Sequence, residues 1–165
     1  MMTGSSQELH LLIDIIDQAY EHRAWHGTNL RGSIRGLTVA QAAWRPDPKR
    51  HNIWEITVHA AYWKYAVRRR ILGEKRGSFP LKGSNWFRRP VETTEVAWRA
   101  DVALLDSIHK SMRDAILTLP HNRLHKVQGH TQFTYAELIY GIASHDLYHA
   151  GQIQILKRLQ KTRRR

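Results

Sequence analysis

Residues 52–72, NIWEITVHAAYWKYAVRRRIL, constrain the fold more than any other stretch of the chain. Asn52 at the head is a good helix N-cap, and Gly73 beyond the end is the residue that most readily stops a helix. Until Arg68, apolar residues fall on most sides of the predicted helix and not on one stripe. A helix of that kind is stable only when several neighbours cover it. The neighbours are legible too. Ser5 and Glu8 have capping-box spacing, and Leu9, Leu12, Ile13, Ile16 and Tyr20 then recur every three or four residues, predicting a helix over 6–22. Thr38 and Gln41 repeat the capping pattern before a short turn that ends near Trp44 and Pro46. Val96, Val102, Leu105, Ile108, Met112, Ile116 and Leu119 mark one face of a third long helix over 94–119, stopped by Pro120. Thr134 and Glu137 form another capping box and open a fourth through about Gln160.

Residues 73–90 carry glycines, prolines and basic side chains, and read as a long loop of functional or lid type. A second connection spans 121–133. No repeats, alternating strand pairs or domain linker are found. The expectation is therefore all-α: a four-helix bundle with long loops, in a single domain over 1–165.

The formal net charge is +12, and six of the positive charges stand at Lys157, Arg158, Lys161, Arg163, Arg164 and Arg165. Without this basic C-terminal tail, 157–165, the net falls to +6. Charge of this kind attracts nucleic acid weakly and in a salt-dependent way. The triplet 68–70 and the tail could contact phosphates, but no helix-turn-helix and no aromatic platform accompany them. No specific nucleic-acid partner is expected. Residues 1–7 lack the order of a secretion signal, and no apolar run approaches the roughly 20 residues that cross a bilayer. A cytoplasmic protein with no membrane partner is the expectation.

The chain has no cysteine. That excludes disulfides, thiolate metal sites and a thiol nucleophile. The phosphate-loop, GxGxxG and GxSxG patterns are absent, as are the paired Glu-x-x-His motifs of di-iron bundles. Eleven histidines remain. His145 and His149 lie one turn apart on the predicted fourth helix, in the same stripe as Leu138, Ile142, Ile153 and Leu156. His59 sits midway along the most apolar helix. Spacing alone is compatible with two arrangements: core histidines bonded to backbone or hydroxyl groups, or imidazoles converging on a metal.

The stretches AYEHRAWHG, IWEITVHAAYWKYAVRRRILG, GSNWF and, most specifically, HDLYHAGQIQILKRL resemble the DinB/YfiT-like superfamily across nearly the whole chain. The resemblance implies a metal-dependent enzyme in which His59, His145 and His149 hold one divalent ion. Nickel or zinc are its expected occupants, with iron or manganese as alternatives. It also implies a homodimer acting on a small-molecule substrate. The reaction is unassigned: a transferase using an external low-molecular-weight thiol, or a hydrolase. A non-catalytic metal-binding protein and a basic nucleic-acid-binding protein are the alternatives.

Asp146 takes the place of the glutamate base of HExxH sites, and is read as orienting a ligand or as a paired acid. Asp146 and His26 are the two candidate catalytic groups. Glu55, one turn before His59, would either accept a ligand N–H or pair with an arginine. Tyr62, Tyr148 and Gln152 would line the pocket or finish the core. Trp25, His26 and Trp86 would wall the metal pocket by resemblance, or else cover a bundle end. His10, His22, His51, His109, His121, His125 and His130 read as surface or loop residues.

Overall fold

The computed structural model describes residues 4–162 except His130, with side chains from residue 7 onward. Among the described residues the chain is all-helical: α1 (Gly4–Tyr20), α2 (Leu30–Ile34), α3 (Val39–Ala43), α4 (Ile53–Leu72), α5 (Glu95–Leu117) and α6 (Tyr135–Thr162), with a 3-10 turn at His121–Arg123. The four long helices are those read from the sequence. α4 packs against both α5 and α6, and α1 packs against α6 and α5.

The local reasons are visible at the helix ends. Asn52 Oδ1 accepts the Glu55 N–H at 2.7 Å, and Gly73 closes α4 with φ 72°. Thr94 caps α5 through the Ala97 N–H. Thr134 and Glu137 bond each other's backbone N–H, completing the box that opens α6. The Thr38–Gln41 box likewise opens α3. The Ser5 side chain lies outside the described residues, and α1 opens at Gly4, before it. The short α2, capped by Asn29, had no periodic signal. α6 runs on to Thr162, so the first part of the basic tail is helix; Lys157 donates to the Ser33 carbonyl and Gln160 to that of Gln41. Residues 163–165 lie outside the described set.

α4 buries fourteen of its twenty residues, which is why it needs several neighbours. One of the fourteen is Lys64, whose ammonium bonds the Asp146 carboxylate of α6 with both side chains shut off from solvent. The same ammonium lies 4.8 Å from the centre of the Tyr20 ring. The Tyr20 hydroxyl donates to Asp106, which also pairs with Arg31 at 2.8 Å. A line of polar groups thus crosses the apolar interior from Arg31 to Asp146.

Two expectations for α5 need correction. Val96 is 79% exposed, and His109 faces inward at 4% exposure. The buried stripe runs through Trp98, Asp101, Leu105, His109 and Met112, and Ile108 stands beside it. His109 is held there by the Tyr20 ring, stacked at 3.6 Å and 15°. Burial, then the charges of Lys64 and Arg113, push its pKa down to about 2. Below the ordinary imidazole pKa near 6.5, the unfolded chain takes up a proton that the folded one refuses. Stability is therefore intact above that pH and falls beneath it, by about 1.4 kcal/mol per pH unit from this residue. Urea midpoints should show that extra slope between pH 6 and 4 in the wild type and lose it in His109→Phe.

Candidate metal centre

α4 contributes His59 and α6 contributes His145 and His149; their ligand-type nitrogens all lie within 4.8 Å of one another. The i, i+4 spacing on α6 turns both imidazoles to α4, and the α4–α6 contact supplies the third. His145 Nε2 is 3.2 Å from His59 Nε2 and 3.1 Å from His149 Nε2. Nitrogens bound to one tetrahedral zinc at roughly 2.0–2.1 Å would sit about 3.3 Å apart. The His145 nitrogen already has that spacing to each of the other two.

Proton placement points the same way. His59 Nδ1 lies 2.8 Å from the Asn85 carbonyl, and His149 Nδ1 lies 2.7 Å from Gln152 Oε1. Both partners can only accept, so each Nδ1 carries the hydrogen and each Nε2 presents a lone pair. His145 Nε2–H can donate to one of those lone pairs, which leaves the other facing a nitrogen without a proton between them. A divalent cation satisfies all three. The Asn85 carbonyl and Gln152 also fix ring orientation, as partners of metal-binding histidines do.

Burial keeps the imidazoles neutral, the form that binds metal. His59 is pushed down to about 4 by burial, which the Asn85 bond partly opposes. His145 is pushed down to about 3 by burial and by the neighbouring His149 and His59. His149 is lowered by burial against the pull of Gln152. His145 Nδ1 is buried with no hydrogen-bond partner.

The loop between α4 and α5 closes one side. Asn85 takes a left-handed φ of 66°, which asparagine tolerates better than most residues. Its carbonyl holds His59 while its Oδ1 accepts the Trp63 indole N–H at 2.9 Å. The next residue, Trp86, stacks on His59 at 3.8 Å and on His51 at 3.6 Å. Trp86 therefore walls the cluster as the resemblance implied.

The other candidates lie elsewhere. Trp25 is 96% exposed and walls nothing in this chain, and His26 is exposed in the same loop. Asp146 points away to Lys64, so it is the paired acid of the two readings. Glu55 does not reach His59. It takes both terminal nitrogens of Arg45 at 2.9 and 2.7 Å and the His51 ring at 2.8 Å. Burial pushes its carboxyl up, but these bonds outweigh burial and hold it below the usual range. Tyr62 packs among Trp63, Phe79 and Phe87, and Tyr148 meets His149 edge-on from an exposed position. Arg68 of the basic triplet is spent on Glu74 at 2.7 Å. The Asn85 carbonyl was not foreseen, because a backbone acceptor has no side-chain signature.

Among comparisons with known proteins, the model of the DinB superfamily matches residues 22–153, a span that includes all three histidines. No curated protein and no solved structure matches the chain.

Proposed function

The chain belongs to the DinB superfamily, and from that premise we propose that it is a metal-dependent enzyme acting on a small molecule. His59, His145 and His149 would hold a divalent ion, nickel or zinc before iron or manganese. The observation that carries the reading is the convergence of three Nε2 atoms, two of them with lone pairs fixed by Asn85 and Gln152. Three protein ligands are the pattern of catalytic sites, whereas structural zinc sites are closed by four. An ion bound there would supply Lewis acidity toward a water or a thiol.

The chain's own residues do the rest. Asn85 and Gln152 keep the ligand tautomers, and Trp86 shields the His59 face from water. With no cysteine in the chain, a thiol-transfer reaction needs a thiol from outside. The proposal is a thiol-dependent transferase, with a hydrolase as the alternative, in a cytoplasmic homodimer. Exposed Leu11 and Ile15 on α1 favour pairing of two copies.

The test is elemental analysis of protein purified without a histidine tag. The expected result is one nickel or zinc per wild-type chain and none in His145→Ala. Equal content in the two would overturn the assignment.

A further inference from the structure

A groove of about 350 Å³ runs between α4 and α6 beside the histidine cluster. His145 and Trp63 line it at the level of the cluster, and Arg70 and Glu137 line it further along. His145 and Glu137 are eight residues apart on α6, or ~12 Å of helix. Between them the walls are Val67, Leu138, Ile142 and the ring of Phe133. The floor includes Gly141, where an added Cβ would meet no atom within 4 Å.

Arg70 is the unusual member of this lining. Its neighbours in sequence have partners: Arg68 pairs with the Glu74 carboxylate and Arg69 donates to the Glu74 carbonyl. Arg70 is only half-buried, yet none of the ion pairs among the described residues includes it. Burial and then the charges of Arg69 and Arg76 lower its pKa, and only Tyr62, not a carboxylate, acts in the opposite sense. Glu137 does not relieve it, since that carboxylate is turned to the Thr134 N–H and hydroxyl at 2.6 and 2.8 Å. A guanidinium crowded by like charges at one end of an apolar groove is complementary to an anion on an apolar stem.

We propose that this groove selects the substrate: an elongated apolar molecule ending in a carboxylate, with the carboxylate on Arg70 and the reacting end at His145. The inference rests on the metal-dependent reading given above. It adds the substrate class and names Arg70 as the residue that determines it. Trp63 and Phe133 supply the apolar contact along the stem, and the fork of Arg70 binds the carboxylate in two-pronged fashion.

Calorimetric titration with octanoate, octanol and octylamine tests it. Octanoate should bind the wild type at least tenfold more tightly than octylamine, with octanol between them. Arg70→Gln should weaken octanoate at least tenfold and leave octanol unchanged. Gly141→Leu should abolish binding of both, because its side chain fills the groove. The open space at Gly141 and the better helix propensity of leucine keep that variant folded, which its melting temperature would verify. His145→Ala should still bind octanoate, which separates the groove from the metal. Equal affinity for octanoate and octylamine, or no effect of Arg70→Gln, would overturn the proposal. So would loss of octanoate binding in His145→Ala alone, since the carboxylate would then sit on the metal. Metal content, measured on the same samples, decides the metal reading separately.

Discussion

Replacing Lys64 alone with methionine is expected to destabilise the protein by about 3–5 kcal/mol, read from urea unfolding at neutral pH. The reason is what it leaves behind. The Lys64 ammonium and the Asp146 carboxylate are both shut off from water, so each is the other's main compensation. Burial drives Lys64 down and Asp146 up, and their mutual attraction opposes both shifts. Without Lys64, Asp146 is left with its Oδ1 already lacking a partner, and must either stay charged in an apolar interior or take up a proton. Asp146→Leu alone should cost a similar amount for the converse reason. The double variant Lys64→Met/Asp146→Leu should recover most of the loss, because replacing a whole buried pair by apolar groups is close to neutral. Additive losses in the double variant would show that the pair is not coupled as described.

The second large effect is thermal. If the ion is present at about a thousand times its dissociation constant, it stabilises the folded chain by about 4 kcal/mol. A chelator should then lower the wild-type melting temperature by on the order of 10 °C. In His145→Ala the chelator should do nothing, since one of three ligands is gone. A chelator-induced shift of equal size in the variant would place the metal elsewhere.

The long helices were legible because their ends carry local chemistry: Asn52 and Gly73 for α4, Pro120 after α5, Thr134 with Glu137 for α6. The short α2 was not, since five residues give no period to detect. At the site, His59, His145 and His149 could be named from apolar placement and resemblance. Their partners followed different rules. Gln152 sits three residues after His149 on the same helix and was among the candidates, whereas Asn85 acts through its backbone and arrives from a loop. His109 could have been found: it lies four residues after Leu105 and three before Met112, on the buried stripe. Lys64 also left a trace, as an isolated charge inside the apolar part of α4, but its partner is 82 residues away. Long-range pairing of that kind depends on helix packing, which spacing along one helix does not contain.

Asn85 holds His59 through its carbonyl and Trp63 through its side-chain oxygen. With one residue holding both His59 and Trp63, the loop between α4 and α5 and the histidine cluster are thermodynamically linked. Linkage is reciprocal: whatever favours the docked loop must tighten cation binding by the same factor, and the cation must protect the loop equally. With an ion held by the three histidines, the loop's backbone amides would report its occupancy, and residues that never touch the ion would adjust its affinity.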